Sequence, residues 1–116
     1  MYNDKKKAII LTQPLISTGF DVSEERMVAI YQKFIDEAKE KGCEEIYFKE
    51  HPREDVEYEK HFPDSFFIPK LMPIEILNLD SNVAFDQAYT ICSGSIDNLK
   101  NVNFRKNLGR DFLKKL

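Results

Sequence analysis

The order of apolar and polar positions predicts strands that alternate with helices along the chain. Residues 7–12 and 44–49 are short apolar runs with β-branched or aromatic side chains, a pattern typical of strands buried on both faces. Shorter runs at 66–69 and 88–92 are predicted as strands as well. Pro69 places the first of these near a sheet edge, because proline donates no hydrogen bond to a ladder.

Residues 23–41 carry the most regular helical signal. Ser23 stands at the N-cap position, and Glu24 and Glu25 follow in the first turn, where the helix dipole favours negative charge. Gly42 comes directly after the last turn and is predicted as a C′ residue. The buried face of the helix is predicted from an apolar stripe at helical spacing, formed by Met27, Ile30, Tyr31, Phe34, Ile35 and Ala38.

Three more helices are predicted after the second strand, at 73–79, 95–101 and 104–116. The highly charged residues 53–65 are interpreted as a surface excursion with room for one helical turn. The last helix is amphipathic, with basic side chains beside its apolar positions. Two interpretations of it stay open, a terminal helix packed on the domain and a helix lying in a membrane interface.

Strands that alternate with helices favour a parallel sheet covered on both faces. The predicted fold is therefore α/β, a single Rossmann-like half-domain with a roughly four-stranded parallel sheet. It spans residues 1–116, including a flexible N-terminus at 1–6 and the helix at 104–116.

The composition of the chain makes several classes of function and of binding site unlikely. Seventeen basic against twenty acidic side chains give a net charge of −3, which argues against binding nucleic acid through phosphate contacts. Cys43 and Cys92 lie far apart, outside any metal-ligand spacing, and are predicted to be small buried groups. No Asp-x-Asp pair is present, so no metal is expected. No segment approaches the ~20 apolar residues of a membrane span, so the predicted compartment is the cytoplasm.

Polar groups follow three of the predicted strands. They are Thr12-Gln13 after the first, residues 49–52 after the second and residues 93–95 after the fourth. Because ligands bind at the carboxyl ends of parallel strands, these groups predict one shared site. Ser93-Gly94-Ser95 precedes a predicted helix, where free N–H groups and hydroxyls would hold an anion. The alternative is that Ser95 only caps that helix.

His51 is the candidate for proton chemistry. Its ordinary pKa of about 6.5 suits proton donation near neutral pH. Nearby Glu50, Glu54 and Asp55 would favour the protonated form if they approach it. The alternative is a turn histidine beside Pro52. The second histidine, His61, is interpreted as a surface or packing residue.

These residues resemble a known family of bacterial sialyltransferases. The run from Tyr47 to Arg53 is similar to their Lys-x-His-Pro element, and the similarity continues in order at 10–15, 73–75 and 93–95. The nearest resemblance is to glycosyltransferase family 52, the lipooligosaccharide sialyltransferases, and the polysialyltransferases resemble the chain almost as closely. It implies the nucleotide-binding C-terminal half of a two-domain GT-B fold, a metal-independent inverting reaction, and CMP-sialic acid as donor with no further cofactor.

The resemblance also implies residue roles. His51 would act as general acid on the leaving phosphate of the donor, or would bind that phosphate. Ser93 and Ser95, on either side of Gly94, would hold the phosphate. The nucleotide pocket would be lined by Thr12, Gln13, Pro52 and Glu75. Asp21 is the candidate catalytic base, with a simple pre-helix carboxylate as the alternative.

Partners follow from the same resemblance. Transfer needs an N-terminal acceptor domain that 116 residues do not supply, so this chain alone is expected to be inactive. A homodimer and a peripheral contact with the cytoplasmic face of the inner membrane stay open as further arrangements. Two other function classes also stay open. One is a non-catalytic nucleotide-binding or interaction module with the same fold. The other, a flavodoxin-like signalling domain, is weakened by the absence of an acidic cluster after the first strand.

Overall fold

The computed structural model describes residues 6–13, 23–54, 56–72, 85–91 and 102–108. Within these ranges the chain forms five strands and two helices. In chain order they are β1 (Lys7–Leu11), α1 (Glu24–Glu40), β2 (Glu45–Lys49), α2 (Tyr58–His61), β3 (Phe66–Ile68), β4 (Gln87–Thr90) and β5 (Phe104–Asn107).

The strands form one sheet in the order β3-β2-β1-β4-β5, and each neighbouring pair is parallel. The predicted α/β class and parallel sheet are confirmed, and β3 lies at an edge as Pro69 suggested. In the centre of the sheet, Ile9 pairs with Tyr47 of β2 on one side and with Ala88 of β4 on the other. Because these strands run in the same direction, the carboxyl ends of β1, β2 and β4 lie at one edge of the sheet.

The fifth strand adds one strand to the roughly four-stranded sheet that was predicted, and it shows that the predicted helix at 104–116 is wrong over residues 104–107. Phe104 pairs with Gln87 of β4, and the strand continues to Asn107. Along it, Phe104 and Lys106 are half-buried while Arg105 and Asn107 are exposed, which is the period of a strand with one buried face. Residues 109–116 lie outside the described ranges.

Side chains on both faces of the sheet are buried. On one face Ala8, Ile10 and Phe48 pack with the apolar stripe of α1. On the opposite face Ile9 and Leu11 join a second cluster, completed by Tyr47, Ile68, Phe85 and Ala88. The continuous apolar run of β1 follows from this double burial, since neither face can carry polar side chains.

Helix α1 has the ends that the sequence predicts. The backbone N–H of Arg26 donates to Ser23 Oγ at 3.2 Å, so Ser23 caps the first turn. Gly42 follows the last turn with a φ of 98°, a left-handed conformation that glycine adopts without strain. All six residues of the predicted apolar stripe are buried. Cys43 is also buried, as expected, and Cys92 lies outside the described residues.

Residues 53–65 contain the single helical turn that was predicted, α2, but the segment is anchored in the core more firmly than its charge suggested. Glu54, Val56, Tyr58 and Phe62 are all buried there. The Phe48 ring stacks on those of Tyr58 and Phe62, with centroids 6.2 and 5.2 Å away. Aromatic packing therefore holds α2 against the end of β2. The predicted helices at 73–79 and 95–101 lie outside the described residues, and none of the described helices is long and apolar enough to cross a membrane.

The N-cap of α1 provides a test of this description. Replacing Ser23 by Ala removes the acceptor for the Arg26 N–H and should lower the free energy of unfolding by about 1 kcal/mol. Ser23→Asp retains an acceptor oxygen and should lose much less. Urea denaturation measures both changes, and equal losses in the two variants would contradict the capping role.

Candidate functional site

The segments that follow β1 and β2 are joined directly at the carboxyl edge of the sheet. The Thr12 N–H donates to the Lys49 carbonyl at 3.1 Å, and the His51 N–H donates to Thr12 Oγ1 at 3.2 Å. Thr12 is only 2% exposed, so its hydroxyl is a fixed partner rather than a solvated group. Two of the predicted site residues, Thr12 and His51, are therefore in contact.

The strand order reverses at this same place. The chain proceeds from β1 outward to β2 and β3, and then returns to β4 on the other side of β1. The Thr90 hydroxyl ties the two sides together by donating to the Leu11 carbonyl at 3.0 Å. A crevice outside such a reversal point is the usual ligand site of an open parallel sheet.

The His51 ring is held in a turn. Its Nδ1 accepts a hydrogen bond from the Arg53 N–H at 3.1 Å, and its carbonyl accepts from the Glu54 N–H at 2.9 Å. A ring nitrogen that accepts carries no proton, so we assign the ring proton to Nε2. His51 is half-buried, which leaves Nε2–H as a hydrogen-bond donor for a ligand.

Burial lowers the pKa of His51, and the positive charges of Arg53 and Lys49 lower it further. This differs from the expectation that Glu50 and Glu54 would favour the protonated ring; Asp55, the third carboxylate of that expectation, lies outside the described residues. Both carboxyl-bearing side chains are buried, and the charges that act on the imidazole come from its basic neighbours. The uncharged form of the ring is therefore favoured at neutral pH.

Two buried side chains reinforce the edge. Tyr31 of α1 accepts the Gln13 N–H at its hydroxyl, with a donor–acceptor distance of 3.4 Å. Lys49 donates from Nζ to the Glu50 and Lys70 carbonyls, at 3.1 and 2.7 Å, and so links the ends of β2 and β3. Burial lowers the pKa of Lys49. Gln13 is half-buried beside Thr12.

The structure thus brings together four of the residues proposed from sequence, Thr12, Gln13, His51 and Pro52. Pro52 is exposed within the turn that follows His51. The remaining candidates lie outside the described residues; they are Asp21, Glu75, Ser93, Gly94 and Ser95.

Sequence reasoning missed the buried carboxyl of Glu50. This side chain is 3% exposed, although it adjoins the site and belongs to a highly charged run. Burial and the nearby Glu59 carboxyl raise its pKa to about 8. The available signal was its spacing, because Ile46, Phe48 and Glu50 fall on one face at the strand period of two.

The second histidine lies elsewhere. His61 Nε2 contacts Glu24 Oε2 at 3.0 Å, and its side chain lines a groove of about 340 Å³ that Gln32, Ile35 and Lys39 of α1 also line. None of the predicted site residues lines that groove. Among the described residues, no three His, Cys, Asp or Glu side chains are grouped to hold a metal ion.

One comparison with known proteins gives a match. The family model described as Glycosyltransferase family 52 matches residues 2–107. No curated protein and no solved structure matches the chain. The matched span contains all five strands and every described residue from Lys6 to Asn107.

The contact between Thr12 and His51 yields a prediction. Thr12→Val keeps the side-chain shape but leaves the His51 N–H without its acceptor, which should cost about 1–3 kcal/mol of stability. Thr12→Ser keeps the hydroxyl and should cost less. Urea denaturation and the amide shift of His51 check this, and a Val variant that leaves both unchanged would contradict the contact.

The environment of His51 yields another prediction. Its imidazole should titrate below its ordinary pKa of about 6.5 and carry its proton on Nε2. The unfolded chain then takes up this proton first, so His51 should reduce stability as pH falls below about 6.5. Nitrogen-detected NMR titration reads both the midpoint and the tautomer. A midpoint above that value, or a proton on Nδ1 in the neutral ring, would contradict the described turn.

Proposed function

Because this chain belongs to glycosyltransferase family 52, we propose that it binds the donor nucleotide of a bacterial sialyltransferase-like enzyme. Members of a glycosyltransferase family take a nucleotide sugar as donor, and the resemblance of the His51 segment indicates CMP-sialic acid. The acceptor site and the transfer step are proposed to require a further domain. A cytoplasmic location, with or without a peripheral contact at the inner membrane, is part of the same proposal.

The observation that carries this proposal is the hydrogen bond from the His51 N–H to Thr12 Oγ1. It joins two segments far apart in sequence at the point where the strand order reverses. A ligand lying over that point would be within reach of both segments, as nucleotides are in open parallel sheets.

The tautomer of His51 supports one of its two proposed roles over the other. With Nδ1 occupied by the Arg53 N–H, the exposed part of the ring offers Nε2–H as a donor to a phosphate oxygen. To act as general acid the ring must instead be an imidazolium with protons on both nitrogens, and Nδ1 would lose its present bond. We therefore propose phosphate binding as the role of His51 in this conformation.

The same observation favours a second candidate function, a nucleotide-binding module that does not carry out transfer. A neutral His51 can donate a hydrogen bond to a phosphate as it stands. To act as an acid, the ring would first have to gain a proton when the donor nucleotide binds. A phosphate beside the ring would supply the charge that raises its pKa. We also propose that Asp21 acts as the catalytic base. The residues proposed to surround the nucleotide are Ser93, Gly94, Ser95 and Glu75.

Nucleotide titrations at neutral pH test the proposal. We expect cytidine monophosphate to bind more tightly than adenosine or guanosine monophosphate and to shift the amides of residues near 12–13 and 51–53. His51→Ala should weaken that binding by about ten- to a hundred-fold, since a hydrogen bond to a charged group contributes about 1.5–3 kcal/mol.

His61→Ala is the matched control, because it removes the other histidine at a site joined to α1 through Glu24. It should leave the affinity for cytidine monophosphate unchanged. Equal binding of the three nucleotides, or equal affinity in the His51 variant and the native chain, would overturn the proposal.

A further inference from the structure

Two lysine side chains hold the two ends of the turn that carries His51. Lys49 Nζ donates to the Glu50 carbonyl at 3.1 Å, where the turn begins. Lys70 Nζ donates to the Glu54 carbonyl at 2.8 Å, where the turn ends. Each ammonium group is therefore fixed on a backbone carbonyl at one end of the turn. We call the side chains of Lys49 and Lys70 the lysine bracket.

The two members of the lysine bracket are joined to each other. Lys49 Nζ also donates to the Lys70 carbonyl, at 2.7 Å. An ammonium group has three N–H donors, so a single Nζ can serve two carbonyls. The contacts form a closed circuit that runs from Lys49 along the turn to Glu54, across to Lys70 and back to Lys49. Displacing either end of the turn would break one of these hydrogen bonds.

The carbonyls at the ends of the turn belong to buried residues. Glu50 is 3% exposed and Glu54 is 5% exposed, so solvent is largely excluded from both. A buried carbonyl that loses its donor keeps the cost of its desolvation without compensation. Lys49 is itself buried, and Lys70 is half-buried. The lysine bracket is therefore part of the frame of the site, in contrast to a pair of solvated surface charges.

His51 lies between the two bracketed carbonyls. Its N–H donates to Thr12 Oγ1 at 3.2 Å, and its carbonyl accepts from the Glu54 N–H at 2.9 Å. Its ring accepts the Arg53 N–H at Nδ1. All three hydrogen bonds depend on the path of the backbone through the turn. Contacts that fix this path therefore fix the ring and the nitrogen that carries its proton.

We propose that Lys49 and Lys70 are positioning residues for His51, which they hold through the two ends of its turn. Neither lysine contacts a ligand in this account. The lysine bracket keeps the ring half-buried, with Nδ1 on the Arg53 N–H and with Nε2–H available as a donor. The consequence for nucleotide binding rests on the proposed function, whereas the positioning of the ring does not.

Titration of His51 in the nucleotide-free chain tests the lysine bracket. Burial lowers the pKa of this histidine, and the charges of Arg53 and Lys49 lower it further. Lys70→Met removes the donor at the end of the turn and leaves both of those charges in place. The ring should then become more exposed to solvent, and its midpoint should rise toward the ordinary value of about 6.5. NMR titration of the ring measures this midpoint.

Three further variants complete the set. Lys70→Arg retains a charged N–H donor for the Glu54 carbonyl and should keep the native midpoint. Lys49→Met removes two carbonyl contacts and one of the charges, so it should raise the midpoint further than Lys70→Met does. If this buried substitution prevents folding, the two Lys70 variants decide the result. Lys60→Met is the matched control, because it removes an exposed lysine of α2 that is paired with Glu57.

The outcomes separate positioning from a contribution to stability alone. A side chain that only stabilises the fold would lower the melting temperature of Lys70→Met and leave the His51 midpoint at its native value. That result would overturn the lysine bracket. An equal rise of the midpoint in Lys70→Met and Lys60→Met would overturn it as well, since the loss of any nearby lysine charge would then explain the change.

Binding of cytidine monophosphate gives a second measurement. Lys70→Met should weaken it by about three- to tenfold at neutral pH, less than His51→Ala does, because the ring is still present but less well positioned. Lys60→Met should bind as the native chain does. A native chain that fails to bind the nucleotide contradicts the proposed function alone. An unchanged His51 midpoint in Lys70→Met contradicts the lysine bracket alone.

Discussion

The parallel pairing of β1 with β2 on one side and β4 on the other is the constraint on which the described structure depends. Buried on both faces, β1 can satisfy its backbone groups only through these two neighbours. The same pairing fixes where each neighbouring strand ends. It therefore determines that Thr12, the segment from Lys49 to His51, and Ile91 after β4 all come out at one edge.

Buried polar groups form part of the carboxyl edge of the sheet. Thr12 and Lys49 are buried, and each is hydrogen-bonded to a neighbouring segment of the chain. Such groups are costly to bury unless their hydrogen bonds are made, so their arrangement is a rigid one. His51 is only half-buried, and the hydrogen bond from the Arg53 N–H fixes the orientation of its ring. A rigid frame that presents the Nε2–H of His51 suits recognition of an anion.

The features that were predicted correctly are those that depend on residues close together in the sequence. The cap at Ser23, the apolar stripe of α1 and the strand ends beside His51 all depend on near neighbours, and all were predicted. The strand at Phe104 was missed, because Phe104, Leu108 and Phe112 also recur at helical spacing. The buried Glu50 was missed for a different reason, since its surroundings come from α2 and from Lys70, which only the folded chain assembles. Site residues beyond the described ranges remain predictions.

The most direct test of the central claim is a crystal structure of the chain with cytidine monophosphate bound. A phosphate oxygen should lie about 2.7–3.2 Å from His51 Nε2, while Nδ1 still accepts the Arg53 N–H. The nucleotide should lie across the edge between the ends of β1 and β4. A nucleotide bound away from this edge, or a phosphate out of reach of His51, would contradict the account.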